Sequence, residues 1–284
     1  MIRLQSDALL ACEIEPRLGG CICGLWLDGV AVLRSAHEPL ASARQSGSYP
    51  LVPFSNRIAR ATLHWLGTDH PLVTNNVPEP HAIHGVGWQR PWTVLDSDDS
   101  FVMLAYEHRT DPSWPFAFDT SQTLRLSGDT LELTLSLTNQ SREIAPVGLG
   151  WHPFFIKRPG ARISFEATGR WEMGSDKLPT TRVPSQGLDA ECADLEVDHC
   201  FDGWNGDVRL RDSVLHTRIR SDLHRLVVFT NGSRDTVAIE PVSHVNNAIN
   251  LVAAGADAGE LGLRTLQPGE TMTAQMSIQV ELAT

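Results

Sequence analysis

Apolar and polar residues alternate along most of the chain, and this pattern predicts β-strands. Between residues 131 and 137, leucine occupies every second position and polar residues lie between the leucines. Because successive side chains of a strand point to opposite faces, one face of this segment is expected to be buried and the other solvated. Residues 127–130, Ser-Gly-Asp-Thr, separate it from a similar arm that begins at Leu124. The stretch 124–137 is therefore predicted to form a β-hairpin.

The same period recurs elsewhere, and helical periodicity is nearly absent. A second hairpin is predicted over residues 24–33, because Asp28-Gly29 is a strong turn signal between two apolar arms. Short helical turns are expected only at residues 35–43 and 257–263, and residues 170–195 show no strand pattern. Further alternating strands are predicted at residues 208–211, 215–220, 226–229 and 272–282.

This succession of elements indicates the fold class. Many strands of modest length, separated by Gly, Pro, Asn and Asp, are typical of an all-β sandwich or barrel. A chain of 284 residues can hold two average domains or one large β domain. No linker, repeat or low-complexity segment divides the sequence, so we expect a single domain over residues 1–284.

Charge and composition narrow the classes of function. The formal net charge of -11, with Lys and Arg scattered, argues against nucleic acid or an anionic membrane as partner. There is no apolar run of about 18 residues that would predict a membrane span. The first residues lack the layout of a secretory signal, so we expect a cytoplasmic protein. The 5 cysteines, an odd number without a repeat pattern, predict free thiols in a reducing compartment.

One histidine stands in an unusual setting, within Gly148-Leu-Gly-Trp-His-Pro-Phe-Phe155. Pro153 favours an extended backbone at His152, and the Trp and the two Phe of this stretch are expected to surround the imidazole. Burial shifts the pKa of an ionisable group, and such shifts are typical of catalytic acids and bases. The alternative is a core histidine in a Gly-Pro turn.

The second strong candidate for chemistry is Glu240. It is expected to end an apolar strand that begins at Thr236, and Pro241 follows it where the strand opens into a loop. A carboxylate beside Ile239 and Pro241 should have a raised pKa, which suits a general base. The alternative is an ordinary acidic residue on an edge strand.

Polar groups suited to a ligand occur in two further stretches. Asn56-Arg57 follows a Pro-flanked apolar run, and an arginine fork suits sugar hydroxyls or carboxylates; the alternative is a surface arginine paired with an acid. His81 and His84 are followed by Trp88, and tryptophan is a common platform for the apolar faces of sugars. The two histidines lack the further ligands that a His-Glu-x-x-His pattern supplies, so no metal or other cofactor is expected.

Acidic and aromatic residues also cluster near position 200. Asp198 and Asp202 are candidate acceptors for hydroxyl groups, although Asp202-Gly203 is equally suited to a turn. Trp204 and residues 170–195 are expected to set the substrate preference, because binding residues concentrate on loops.

Taken in order, these stretches resemble the aldose 1-epimerase (galactose mutarotase) family from about residue 20 to the C-terminus. Each motif alone is weak, and the order and spacing of all of them make the resemblance specific. It implies a large antiparallel β-supersandwich that binds a free sugar in a cleft. The motifs that carry it are Asn56-Arg57-Ile58, His84-Gly85 with Trp88 downstream, Gly150-Trp-His152-Pro-Phe-Phe155, Asp198-His-Cys-Phe201 and Ile239-Glu240-Pro241.

The resemblance also implies a role for each matching residue. Glu240 matches the general base, His152 the general acid and His84 a second active-site histidine. Galactose mutarotases carry Asn-His-x-Tyr-Phe at the acid position, where this chain reads Trp-His-Pro-Phe-Phe, so galactose itself is not implied. The implied substrate-binding residues are Arg57, Asn56, Asp198 and Trp88.

The expected reaction is interconversion of the α and β anomers of a free aldose by a cofactor-free monomer or homodimer. It needs a base for the C1 hydroxyl and an acid for the ring oxygen, which we expect on opposite sides of the sugar. One alternative is a hexose-phosphate mutarotase, in which Arg57, Arg60 and Arg90 would bind the phosphate. The others are a non-catalytic carbohydrate-binding protein and a cupin-like metal isomerase that uses His81, His84 and an acidic residue.

Overall fold

The computed structural model describes residues 1–35 and 40–283. Strands make up 52% of it and helices 7%, which confirms the predicted all-β class. Within these residues the strands are β1 Ile2–Gln5, β2 Leu10–Glu15, β3 Cys21–Leu27, β4 Val30–Ala31, β5 Pro50–Leu51, β6 Arg57–Ile58, β7 Thr62–Trp65, β8 Thr68–Pro71, β9 Ala82–Ile83, β10 Thr93–Ser97, β11 Phe101–His108, β12 Phe118–Ser127, β13 Thr130–Asn139, β14 Ala145–Val147, β15 Gly150–Trp151, β16 Phe154–Ile156, β17 Arg162–Phe165, β18 Gly169–Met173, β19 Pro179–Pro184, β20 Leu188–Glu191, β21 Val197–Asp202, β22 Asp207–Arg211, β23 Leu215–Ser221, β24 Arg225–Thr230, β25 Thr236–Val242, β26 Arg264–Leu266 and β27 Thr271–Leu282.

Helices are short and few. The turn expected at residues 257–263 is confirmed as α2, where the Asp257 side chain accepts a hydrogen bond from the Glu260 backbone and Gly262 ends the helix in a left-handed conformation. Residues 36–39 of the turn expected at residues 35–43 lie outside the described residues, and within the described part a 3-10 turn begins only at Ala43. Helix α1 was not expected, because six residues are too few to display a helical period. The helices are α1 Ala248–Ala253 and α2 Ala258–Leu261, with 3-10 turns at Ala43–Gln45, Ala59–Ala61 and Gly87–Gln89.

Two large antiparallel sheets form the body of the described chain. One has nine strands in the order β10-β11-β12-β13-β27-β23-β22-β17-β20, and the other runs β19-β18-β21-β24-β25-β15-β5, with β16 also paired to β25. A four-stranded sheet of β1 to β4 and the pairs β14-β26, β6-β9 and β7-β8 complete the strands. Both predicted hairpins are confirmed: β12 pairs with β13 across the turn at 127–130, and β3 pairs with β4 across Asp28-Gly29.

The core lies between the two large sheets. β12, β13 and β27 each bury alternate residues, so the nine-stranded sheet has one face in the core and one towards solvent. Phe165 of β17 meets Phe201 of β21 at 5.0 Å between ring centroids. The Trp151 indole N–H donates to the side-chain oxygen of Gln122 on β12. These contacts join the inner faces of the two sheets.

The expectation for Glu240 at the end of a strand is wrong. β25 continues through Pro241 to Val242, and Glu240 pairs with Val227 of β24 inside the sheet. All seven residues of β25 are buried, so the strand is covered on both faces. A proline removes one backbone donor and restricts φ, but here the strand continues past it to Val242.

Residues 170–195 also differ from expectation, because they form β18, β19 and β20. β19 is an edge strand of the eight-stranded sheet and β20 an edge strand of the nine-stranded sheet. Both are largely polar, and β19 begins and ends with proline. Edge strands are often polar and tolerate proline, which explains the absence of an alternating apolar pattern.

Gly148 is the point where the chain passes a buried histidine on its way to β15. An added Cβ at Gly148 would lie 2.1 Å from Cδ2 of His244. His244 cannot easily yield, because its Nε2 accepts from the Ser55 backbone N–H and its Nδ1–H donates to the Val245 carbonyl. The path of the segment that carries His152 therefore requires glycine, which has no Cβ, at position 148.

We expect Gly148→Ala to lower the free energy of unfolding by about 1–3 kcal/mol through this steric conflict. Urea denaturation of the variant and the wild type measures the change. Gly232→Ala is the matched control, since the nearest atom to its added Cβ is a Glu196 side-chain oxygen at 3.7 Å. Equal stability of the two variants would contradict the prediction.

Candidate active site

Glu240 and His152 form the centre of the candidate site. Glu240 Oε1 lies 3.2 Å from His152 Nε2, and both side chains are almost completely buried. The strand register explains the meeting: Gly150 pairs with Val242 and Phe154 with Ala238, so His152 falls opposite Glu240 on neighbouring antiparallel segments. Two residues that are 88 positions apart in sequence therefore become direct neighbours.

Aromatic rings enclose the imidazole of His152. Tyr49 stacks on it with 4.9 Å between ring centroids, Phe154 lies at 4.3 Å and the edge of His84 at 5.1 Å. The expectation that Trp151 and Phe155 also surround His152 is wrong. Their side chains point to the opposite face, where Trp151 bonds to Gln122 and Phe155 is fully buried.

Burial disfavours the charged form of both partners. Desolvation, reinforced by the nearby Asp198, raises the pKa of Glu240 well above its usual range, and Arg57 opposes this shift. Desolvation also lowers the pKa of His152 to about 3, with Arg34 and Arg44 acting in the same direction. Transfer of one proton across 3.2 Å converts the neutral pair into an ion pair. The arrangement is suited to giving and taking protons.

Hydrogen-bond capacity remains for a ligand at this pair. Glu240 Oε2 and His152 Nδ1 are buried and have no hydrogen-bond partner among the described residues. Buried polar atoms normally have partners, and exceptions are frequent at functional sites.

The backbone around His84 fixes its ring and its protonation. His84 Nδ1 accepts from the Asn56 backbone N–H, and the His84 backbone N–H donates to the Asn56 carbonyl. Burial, followed by the proximity of His152, lowers the pKa of His84 well below its usual value. A neutral His84 that accepts at Nδ1 carries its proton on Nε2, so it is a hydrogen-bond donor.

Gly85 makes the tight approach of this segment possible. Its φ is +68°, and an added Cβ would lie 2.1 Å from the Val52 carbonyl oxygen. His84 itself has a φ of 61°, an uncommon conformation that is concentrated at functional positions.

Arg57 is buried and paired with a carboxylate. Its Nε and Nη2 donate to the two oxygens of Glu79 at 2.9 and 3.1 Å, and its Nη1 donates to Asn56 Oδ1 at 3.1 Å. Lys177 adds a second cation to Glu79 at 3.0 Å. The alternative of a surface arginine paired with an acid is thus correct in part, but Arg57 is buried and lies next to His84 through Asn56.

Trp88 and Asp198 border the same region. Trp88 is buried 5.6 Å from Tyr49 between ring centroids, and its indole N–H has no partner within the described chain. Asp198 on β21 pairs with Phe229, which pairs with Ala238 of β25, so Asp198 shares a sheet face with Glu240. Both residues that were expected to bind substrate therefore lie around the pair.

The side chains of several other candidate residues form hydrogen bonds within the protein, away from the pair of Glu240 and His152. Asp202 accepts from Trp171 and from the fork of Arg182, and buried Trp204 donates its indole N–H to the Asp207 carbonyl. These contacts stabilise the sheet, so the expectations that Asp202 accepts hydroxyls and that Trp204 sets substrate preference are not supported. His81 Nδ1 accepts from the Arg60 backbone N–H, and its Nε2 lies 3.1 Å from the Asp176 carbonyl oxygen.

Residues that sequence reasoning overlooked also lie here. Tyr49 precedes the Pro-flanked apolar run. The chain has 2 tyrosines, and the rarity of this residue type was the only feature of the sequence that could have drawn attention to Tyr49. Glu79 stands between two prolines and reads as a turn, and Lys177 lies in a segment without a pattern. Their contacts join segments that are far apart in sequence.

Cavity size alone does not locate the site. A surface cavity of about 890 Å³ lies against β1, β2 and β3, and none of the candidate site residues lines it.

The described residues contain no group of three or more His, Cys, Asp and Glu placed to hold a metal ion. No helix in residues 1–35 and 40–283 is long and apolar enough to cross a membrane. The five cysteines are free thiols, as predicted.

Comparison with known proteins agrees with the resemblance in the sequence. The family model described as aldose 1-epimerase matches residues 1–279, so the chain belongs to the aldose 1-epimerase family. The uncharacterized protein YphB of Escherichia coli K12 is 32% identical over 280 residues, which cover 93% of both proteins.

Solved structures confirm the galactose mutarotase-like fold. An Escherichia coli K12 protein provisionally named an aldose 1-epimerase has a TM-score of 0.87 and 29% identity, and the match covers 99% of this chain and 98% of that one. A galactose mutarotase-like protein from Clostridium acetobutylicum has a TM-score of 0.86 and 20% identity, with coverage of 99% and 94%.

Buried neutral histidines make the stability of the fold depend on pH. Desolvation lowers the pKa of His244 from 6.5 to about 4. Between these values the unfolded chain binds a proton that the folded chain does not, so the free energy of unfolding falls as the pH falls. We expect His244 to contribute roughly 3 kcal/mol to this loss between pH 7 and pH 4.

Urea denaturation of the wild type and His244→Asn across this range tests the prediction. The variant lacks the titrating group, so the difference in unfolding free energy between the two proteins should shrink as the pH falls. His216→Asn, on the outer face of the nine-stranded sheet, is the control. Parallel curves for the wild type and His244→Asn would show that His244 does not titrate as expected.

Proposed function

We propose that the protein is an isomerase that interconverts the α and β anomers of a free aldose by general acid–base catalysis. The observation that carries the proposal is the buried contact between Glu240 Oε1 and His152 Nε2 at 3.2 Å. Membership of the aldose 1-epimerase family agrees with it.

The geometry of the pair fits the hemiacetal group of a sugar. The two oxygens that exchange protons, the C1 hydroxyl and the ring oxygen, are bound to the same carbon. A base and an acid in direct contact can each reach one of these oxygens when a sugar lies against them. We therefore place the base and the acid side by side in the proposed complex, rather than on opposite sides of the sugar, because Glu240 and His152 are neighbours.

In the proposed reaction, the Glu240 carboxylate takes the proton of the C1 hydroxyl while protonated His152 donates a proton to the ring oxygen. The bond between C1 and the ring oxygen breaks, and C1 becomes an aldehyde. Rotation about the C1–C2 bond turns the other face of the aldehyde to the C5 hydroxyl. Ring closure reverses both proton transfers and regenerates the starting forms of both residues.

Residues around the pair would hold and orient the sugar. His84 offers its Nε2–H as a donor, and its Nδ1 is already used by the Asn56 backbone N–H, so we assign it an orienting role. We assign hydroxyl binding to Asn56, Arg57 and Asp198. The buried ring of Trp88, with an indole N–H that has no partner among the described residues, would border the sugar.

The alternative hexose-phosphate mutarotase has less support. Arg57 is paired with Glu79, and Arg90 is paired with Asp111 at 2.8 Å. A phosphate would have to compete with these carboxylates. A carbohydrate-binding protein without activity would have no need of the direct contact between Glu240 and His152.

We expect Glu240→Gln to reduce the rate of anomer exchange about 10²–10⁴-fold, because the amide cannot accept the C1 proton. NMR saturation transfer between the α and β C1 protons measures the rate on a panel of hexoses, pentoses and hexose 6-phosphates. Sugar binding should persist, since the amide has nearly the same shape.

Glu281→Gln, at an exposed position near the end of β27 in the nine-stranded sheet, is the control and should exchange anomers like the wild type. Near-normal exchange by Glu240→Gln would remove the proposed base. Sugar binding by the wild type, without acceleration for any sugar of the panel, would favour the carbohydrate-binding protein.

A further inference from the structure

We propose that Glu79 is a positioning residue that orients Arg57, cancels its charge and thereby selects an uncharged, hydroxyl-bearing part of the sugar at that end of the site. This inference rests on the proposed function and adds a determinant of specificity to it. Glu79 itself is placed to act through Arg57.

Hydrogen bonds to Glu79 and Asn56 hold the Arg57 guanidinium in one orientation. The Glu79 carboxylate accepts hydrogen bonds from Nε and Nη2 of Arg57, and Asn56 Oδ1 accepts one hydrogen bond from Nη1. An arginine has five N–H donors in a rigid fork. Three of them are used here, and one N–H on each of Nη1 and Nη2 remains. A planar group held on two edges presents these two donors in a fixed direction.

The charge at this end of the site is balanced from within the protein. Partial burial acts to raise the pKa of Glu79, but hydrogen bonds from Arg57 and Lys177 outweigh it and lower the pKa to about 2. Glu79 is therefore ionised throughout the physiological range. It neutralises buried Arg57, whereas Lys177 is about half exposed and screened by water.

Hydroxyl groups and anions respond differently to such an arginine. A neutral hydroxyl can accept the two remaining N–H donors without disturbing the pair with Glu79. A phosphate or carboxylate would bring a second negative charge close to Glu79 in a partly desolvated place, where repulsion is stronger than in bulk water. Removal of the Glu79 charge should therefore weaken binding of neutral sugars and favour anionic ones.

Glu79 also ties the turn between β18 and β19 to the site. Lys177 reaches Glu79 from this turn, and His81 Nε2 lies 3.1 Å from the carbonyl oxygen of the neighbouring Asp176. Met173, the last residue of β18, contacts Asn246 through its sulfur at 3.9 Å. One carboxylate thus sets the direction of the arginine and helps to hold the turn beside it.

The test compares Glu79→Gln with the wild type on neutral hexoses and their 6-phosphates. Two pairs are used: glucose with glucose 6-phosphate, and galactose with galactose 6-phosphate. For the neutral hexose we expect KM to rise about tenfold, as for the loss of one charge-assisted contact, with kcat changed less than about threefold. The ratio of kcat/KM for the phosphate to that for the neutral sugar should rise at least about tenfold. Calorimetry with the same sugars gives the binding counterpart of each value.

A matched control breaks a similar fork far from the candidate site. Arg218 Nε and Nη2 donate to the two oxygens of Asp207 at 2.8 and 2.7 Å on the outer face of the nine-stranded sheet. Asp207→Asn should leave both KM values and their ratio unchanged. If Glu79→Gln fails to fold, Glu79→Asp keeps the charge but shortens the reach, and should raise KM without favouring the phosphate.

Outcomes separate this inference from the proposed function. If the wild type turns over no sugar, the proposed function fails, and the dissociation constants alone decide the role of Glu79. If the wild type is active and Glu79→Gln has unchanged KM and an unchanged preference between neutral and phosphorylated sugar, the role of Glu79 is refuted. A loss of kcat with unchanged selectivity would also refute it.

Discussion

The structure depends on a carboxyl group and an imidazole held together in a place where neither is well solvated. Their contact follows from backbone pairing, because the register of β15 and β16 on β25 leaves His152 only one position, opposite Glu240. Aromatic rings and a fully buried strand exclude water from the pair. The low dielectric makes each charged form costly, so it shifts the pKa of Glu240 upwards and that of His152 downwards.

Support for this pair comes from a layer of fixed polar groups. His84 is locked to the backbone of Asn56, Asn56 holds Arg57, and Arg57 is held by Glu79. Each contact restricts a rotatable side chain, so a ligand would meet donors that already point in the right direction. Such preorganisation reduces the entropy lost on binding.

Much of this could be predicted from local patterns, and the exceptions have physical causes. Alternating leucines identified β12 and β13, because one-sided burial leaves a period of two. The start of β25 was predicted correctly at Thr236, but its end was placed too early, at Glu240, although the strand is covered on both faces and continues past Pro241. No strand was predicted at β19, because its edge position permits proline and polar residues. His152 and Glu240 stood out through their immediate neighbours, whereas Glu79 acquires its partners, Arg57 and Lys177, only when residues 22 and 98 positions away fold against it.

The position of Glu240 inside a covered strand has a consequence for how the protein can change. Any shift of β25 would disturb β24, β15 and β16 together, so selection has little freedom to move this residue. The turn between β18 and β19 lies at the margin of the same sheet and touches the site through few side chains. Substitutions in that margin can therefore accumulate over evolution without displacing Glu240, whereas substitutions in β25 cannot.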